Sequence, residues 1–268
     1  MPLFGRQFII DVGLPGTTGK RFKGLDMKAA IKMKAGQDPN EGRITITNPA
    51  PATIDILRQS GVLVRVLAGY DEPLLVFQGD PVEGGVEIKR EKTDRIAVIE
   101  AQDGGRGYRL GRVNVSFAEA IPITQAFERA VTSMGLSVGQ VALDPRQRIP
   151  AGFTMYGPAR KELDRFAQMA GGDWTIRDGL VSIIRAGQTS GERAVVFSAD
   201  NGNLIGSPKL ADEGEVEVKA LLEPSLRPYK PFRVRSEFVN GDFRAEEVRF
   251  DITSRRNENY VIVKGSPL

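Results

Sequence analysis

Asp173, Trp174 and Asp178 fall within the single stretch DWTIRD. Two carboxylates beside an aromatic ring are the residue types of a glycosidase cleft: one carboxyl protonates the leaving oxygen, the other attacks or activates water, and the ring stacks on the sugar. The same residues also have a structural reading, and it is the preferred one. Asp173 ends a Gly-Gly turn, Asp178-Gly179 is the strongest short hairpin signal, and Trp174 then packs on the helix before it. GGRGYRLG, from Gly104 to Gly111, could be imagined cradling a phosphate. It lacks the G-x-x-x-x-G-K-[ST] spacing, and no helix is expected to begin at its end, so it reads as a linker. Three basic stretches, KRFKG, IKREKTDR and SRRN, carry charges that could meet a phosphate backbone. The second and third sit at expected hairpin tips and the charges are mixed, which favours solvated hairpin ends or electrostatic docking surfaces. NVS at Asn114 formally matches a glycosylation acceptor, but the start of the chain, MPLFGRQFIIDVG, is no signal peptide, so the match carries no weight.

The 268 residues include no histidine and no cysteine. A Ser-His-Asp triad, an imidazole or thiolate metal site, a cysteine nucleophile and a disulfide are therefore all excluded. The lack of cysteine suits folding in a reducing cytoplasm. No catalytic, cofactor-binding or metal-binding residue is nominated. Hydrophobic residues make up 41% and charged residues 26%, ordinary values for a globular chain, and the net charge of +3 is too small and too dispersed to argue for nucleic acid. No apolar run approaches bilayer length, so no membrane anchor is expected. Thirty glycines and sixteen prolines point to many turns and short strands.

The elements that must position these residues follow from the patterning. MKAAIKMK (27–34) alternates with a period of two, and RITITN (43–48) alternates Ile with Thr, so the pair reads as a hairpin across the loop GQDPNEG. PATIDILRQSG reads as a short helix with Thr53 as N-cap and Gly61 as stop. VLVRVLAGY, PLLVFQG, VEIKRE and RIAVIEAQ read as four further strands, together a small barrel or sandwich. After residue 105 the texture changes. PITQAFERAVTSMG and GPARKELDRFAQMAGG each present an apolar face at helical spacing, with strands beside them. From Thr189 the alternation returns in AVVFSA, EVEVKALL, FRVRSEF, EEVRFDI and NYVIVKG. Gly79-Asp80 and Gly241-Asp242 are each followed at one distance by an apolar pair, Val86/Ile88 and Val248/Phe250, then a polar tip and a returning strand. The expected fold is therefore mainly β with an α+β insertion. Two similar small β-barrel domains, 1–105 and 189–268, flank a middle module, 106–188, with two helices.

KMKAGQDPNEGRITITN resembles the first hairpin of the baseplate hub proteins of tailed bacteriophages, a family also found in related contractile injection systems. LVRVLAGYDEPLLVFQGDP is similar to that family's next element, ARKELDRFAQMAGGDWTIRDGLVSI to its middle module, and NLIGSP through VKALLEPSLRP and NGDF to its second tube-like segment. The four pieces occur in the family's order. One departure is that Tyr229 and Lys230 follow Pro228 where the family usually has Pro-Gly, and another is the lack of an appended spike or peptidoglycan-degrading domain.

The resemblance implies a non-enzymatic structural protein that forms a trimeric ring and joins the tail tube to the central spike. Three subunits with two tube-like segments each would let a threefold spike meet a sixfold tube. The implied partners are two further copies of the chain, tail tube or adaptor proteins, a central spike, and weak contact with passing DNA. The implied place is the baseplate of the virion tail, assembled in the host cytoplasm. Contacts with neighbouring tail proteins are expected at two hairpin tips, at Lys89, Arg90 and Asp94 and at Arg255, Arg256 and Asn257. Two rival classes stand beside this. One is a carbohydrate-binding or carbohydrate-cleaving β-protein using Trp174, Tyr156 and nearby carboxylates. The other is a nucleic-acid-binding barrel, which would show steeply salt-dependent binding.

Overall fold

The computed structural model describes residues 5–211, 214–255 and 259–268. The chain divides into two compact units: the described residues of Met1–Ala35, Asn40–Gln102 and Thr189–Leu268, and those of Gly36–Pro39 and Asp103–Gln188.

The first unit opens with β1 (Gln7–Gly13), β2 (Lys20–Lys23), β3 (Met27–Lys34), β4 (Glu41–Thr47), α1 (Pro51–Leu57), β5 (Leu63–Gly69), β6 (Leu74–Glu91) and β7 (Asp94–Gln102). The alternation in β3 places Met27, Ala29, Ile31 and Met33 in the core and all three lysines outside. The short helix α1 starts from Ala50 with Pro51 in its first turn, where the missing N–H costs nothing. Thr53, expected as its cap, is instead buried within it. The second unit follows with α2 (Gly105–Leu110), β8 (Arg112–Ser116), β9 (Ile121–Pro122), α3 (Ile123–Ser133), β10 (Ser137–Val141), β11 (Arg148–Ile149), β12 (Thr154–Pro158), α4 (Ala159–Ala170), β13 (Gly172–Arg177) and β14 (Leu180–Arg185). The chain then returns to the first unit with β15 (Val195–Ser198), β16 (Lys209–Leu210), β17 (Val216–Leu221), β18 (Pro231–Arg235), β19 (Asn240–Thr253) and β20 (Tyr260–Pro267).

The mainly β class agrees with the sequence, but the arrangement of the strands does not. Among the described residues no closed barrel forms. The strands of the first unit join into one 13-stranded sheet that runs β16-β17-β20-β19-β3-β4-β7-β6-β5-β1-β2, with β15 and β18 branching from β19. The reason lies in β3. In the strand order β3-β4-β7-β6-β5-β1-β2, closing the first half on itself would require the free edge of β3. Its edge is instead taken by β19, with Met33 opposite Val248 and Ile31 opposite Phe250.

One strand order occurs twice in this sheet. β3·β4·β7·β6·β5·β1 and β16·β17·β20·β19·β18·β15 have the same neighbours, antiparallel throughout except that β15 pairs with β18 in parallel. Val86 faces Ile99 as Val248 faces Val263, so the apolar pairs of the two halves are equivalent in register. Both long strands carry a β-bulge at their midpoint, after Pro81 and after Ala245. The ladder slips three residues at the first bulge and one at the second, so Gly79-Asp80 and Gly241-Asp242 are not equivalent. Gln78, opposite Arg65, corresponds instead to Asp242, opposite Arg233. Both arginines donate across the strand, Arg65 Nε to Gln78 Oε1 at 2.6 Å and Arg233 to both Asp242 oxygens at 2.5 and 2.7 Å. The bulges also explain why PLLVFQG and VEIKRE are one strand and not two: the extra residues at Pro81–Gly85 bend the strand without ending it.

In the second unit α3 and α4 lie together with the rings of Phe127 and Phe166 edge to face, their centroids 5.8 Å apart. The hairpin β13–β14 turns at Asp178 (φ 53) and Gly179 (φ 80), the paired left-handed residues of a type I′ turn. The Asp103 carboxylate accepts both turn N–H groups, from Asp178 at 2.5 Å and from Gly179 at 2.9 Å. The expected linker GGRGYRLG is not a linker. Its centre forms α2, so this unit has three helices and not two. Glycine is needed there because a Cβ on Gly107 would come within 2.3 Å of the Met134 carbonyl oxygen.

Candidate assembly surface

Lys89, Arg90, Asp94 and Arg255, the described residues of the two tips singled out in the sequence, come to one end of the shared sheet, and the ladder shows how. Thr253 of β19 faces Lys28 of β3, Met27 faces Ile46 of β4, Thr47 faces Ile96 of β7, and Arg95 faces Arg90 of β6. Lys89 and Arg90 are exposed, and Lys89 Nζ lies 3.0 Å from the Glu87 carboxylate. The turn between β6 and β7 passes through Lys92 in the left-handed region (φ 55). Arg255 is exposed and reaches Asp26 at 3.4 Å. Arg256 and Asn257 lie outside the described residues.

Two residues of this end were not singled out in the sequence. Asn48, left-handed at φ 55, binds the first tip from both sides: its Nδ2 donates to Asp94 Oδ1 at 2.8 Å and its Oδ1 accepts from the Arg95 N–H at 2.9 Å. The signal was present, since RITITN ends in an asparagine where alternation stops, and Asn tolerates the left-handed region. Asp26 had no comparable signal. Its value comes only from the β3·β19 pairing, which brings Arg255 to it. Away from this end, Phe238 is 73% exposed in the turn between β18 and β19.

Two carboxylates of the sheet are held below the ordinary range. The side-chain hydrogen bond from Arg233 does this to Asp242, on the open surface. Burial pushes Glu247 up, but Arg249 and Lys34, the latter at 3.3 Å, outweigh it. Glu247 faces Lys34 across β19 and β3, so this ion pair spans the junction of the two sheet halves.

The saccharide-binding alternative loses its platform. Trp174 is 1% exposed and its Nε1–H donates to Asp164 on α4 at 2.8 Å, so neither ring face is open to a sugar. Tyr108 fills one side, with ring centroids 6.1 Å apart. Asp178 is occupied as a turn residue, and Tyr156, 73% exposed, lies on β12 away from the β13–β14 hairpin in the strand ladder.

Comparison with known proteins gives a consistent picture. No family model matches the chain, and no curated protein matches it in sequence. Solved structures do match. A tail protein from Neisseria meningitidis MC58 superposes with a TM-score of 0.68 at 11% identity, covering 98% of this chain and 97% of that one. The fold is that of phage tail proteins. The 43 kDa tail protein of prophage MuSo2 from Shewanella oneidensis matches with a TM-score of 0.61 at 13% identity over 98% of both chains. An Escherichia coli type VI secretion component, described as structurally similar to the T4 tail proteins gp27 and gp5, matches with a TM-score of 0.58 at 10% identity, covering 96% of this chain and 76% of that one. The resemblance to hub proteins of phage tails and contractile injection systems, drawn from four short stretches of sequence, agrees with these neighbours.

Proposed function

We propose that this chain is a structural component of a phage-type tail, a baseplate hub whose subunits form a ring of three between the tail tube and a central spike. The observation that supports it most is the doubled strand order within one sheet. One chain carries two tube-like copies, at 1–105 and 189–268, around an α+β insertion at 106–188. Three chains then present six similar units to a sixfold tube while keeping a threefold face for the spike. The mechanism is assembly through matched strand edges and complementary charge, with no reaction. Its partners are two further copies of itself, tail tube or adaptor proteins and the spike, with weak contact to passing DNA. It acts in the virion baseplate after assembly in the host cytoplasm.

The native mass of the purified protein tests this reading. A species of three times the 29.3 kDa chain is expected, alone or once a spike partner is added. A stable dimer or tetramer overturns the reading.

The sheet end carrying Lys89, Arg90, Asp94 and Arg255 is our proposed contact with neighbouring tail proteins, and Arg256 and Asn257 join it by sequence. Glutamates in place of Arg255 and Arg256 should weaken attachment without unfolding the protein; at the exposed Arg255 the change should cost only about 0.5 kcal/mol and leave the thermal midpoint within a degree or two. Co-sedimentation with tail tube or adaptor proteins should fall at least tenfold. Undiminished co-sedimentation removes these residues from the contact.

A further inference from the structure

The small net charge of +3 conceals an uneven distribution. Residues 104–118 and 145–161 pair with each other through β8 and β12. Together they hold seven arginine or lysine residues and no aspartate or glutamate, so the remainder of the chain is net acidic. The first of these segments includes GGRGYRLG, which the tail-protein reading leaves without a role.

Four of these cations meet at one corner of the second unit, where α2 ends, β8 begins, β12 ends and α4 begins. The Ala159 N–H donates to the Gly111 carbonyl at 2.9 Å, and Pro158 lies opposite Arg112 in the ribbon. Arg109 and Arg112 therefore come beside Arg160 and Lys161. Arg109, Arg112 and Lys161 are exposed, and the Arg160 guanidinium lies 5.1 Å from the centre of the Tyr108 ring. The carboxylates nearest in sequence are engaged elsewhere. Glu162 is buried and pairs with Arg165 at 2.7 Å, Asp164 accepts from Trp174, and Asp103 is buried under the β13–β14 turn. Two large apolar side chains project from the same place. Leu110, next to Arg109, is 67% exposed. Tyr156 faces Asn114 across the ribbon, one diagonal step from Arg112 on the outward face, while Val113 and Met155 fill the inward face.

We propose that this corner is a peripheral docking surface for an anionic membrane. The cations supply attraction to lipid phosphates, and six of the seven in the two segments are arginines, whose planar fork offers a phosphate two donors at once. Leu110 supplies what charge alone does not, an apolar side chain able to enter the boundary between headgroups and acyl chains. Tyr156 suits the same boundary, with an apolar ring and a polar tip. Leu110 also separates this occupant from other polyanions. An exposed leucine gives a nucleic-acid base no stacking face and gives a carboxylate-rich peptide no charge to meet. The contact needs no spanning helix, and among the described residues none is long and apolar enough to be one.

The full chain should co-sediment with vesicles of equal parts phosphatidylglycerol and phosphatidylcholine, and not with phosphatidylcholine alone. Raising the salt from about 0.1 M to about 1 M shortens the screening length from about 10 Å to about 3 Å and should release most of the bound protein. Arg112→Glu with Lys161→Glu should lower the affinity at least tenfold, since each cation near such a surface is worth roughly fivefold. Both side chains are exposed, so the fold should survive the change. Leu110→Trp reports insertion directly, because the single natural tryptophan, Trp174, is buried. Its emission should shift to the blue with the mixed vesicles and stay unchanged with phosphatidylcholine. Equal binding to both kinds of vesicle, undiminished binding by the double variant, or an unshifted Leu110→Trp emission in bound protein overturns the proposal. So does binding to polyglutamate or to a single-stranded oligonucleotide without binding to vesicles, which gives the corner to another polyanion. The hub reading is decided separately by the native mass, and neither result settles the other.

Discussion

Phe250→Ala is expected to cost about 3–5 kcal/mol, the range for truncating a buried phenylalanine, and to loosen two distant parts of the chain together. Phe250 lies opposite Val261 of β20 on one side and Ile31 of β3 on the other, and all three are buried. A cavity there removes contacts on both sides of β19, so a single substitution weakens the ladder that joins the two sheet copies. Urea unfolding would give the loss in stability. Amide exchange would show protection falling in Met27–Lys34 and in Tyr260–Pro267 alike. Loss confined to the C-terminal strands would mean that the β3·β19 junction is not the spine of the first unit. Ile88→Ala at the equivalent open edge is expected to cost well under half as much in the isolated chain, because Ile88 is only half buried.

Trp174→Ala should destabilise the second unit by a similar amount, about 3–5 kcal/mol. The indole is enclosed by Tyr108 and by α4, and its Nε1–H bond to Asp164 ties the β13–β14 hairpin to that helix. Asp164 is only partly buried, so water can replace the lost donor and the cost comes mainly from the cavity. Exchange protection should fall across Gly172–Arg185 and Ala159–Ala170. A cost below about 1 kcal/mol, the range of surface substitutions, would place the ring at the surface and revive the saccharide-binding alternative.

Much of the local structure was legible in the residues. Strict alternation in MKAAIKMK required one buried and one wet face, and β3 has both. Asp178-Gly179 determined its hairpin because both turn positions need positive φ. The apolar spacing of α3 and α4 and the left-handed glycine after α4 marked those helices. The tail-protein fold was also legible, since four short patterns in a fixed order were enough to suggest it. The misses came where local signals compete. Pro81, Gly84 and Gly85 look like a strand break, yet a bulge accommodates them within one long strand. The glycines of GGRGYRLG look like a linker, yet they permit the close approach of α2 to Met134.

By itself the sequence determined the class of each element, the absence of histidine and cysteine chemistry, and the existence of two similar β regions. Only the tertiary structure decided how those regions combine. Alternation describes a strand's two faces and says nothing about which edge it will meet. Whether the edge of β3 closes the first half on itself or pairs with β19, more than 200 residues away in the chain, is not written in the alternation of either strand. Two bulges that slip the ladder by different amounts hid the true equivalence of Gln78 and Asp242. The same pairing brought Arg255 to Asp26 and buried Ile31.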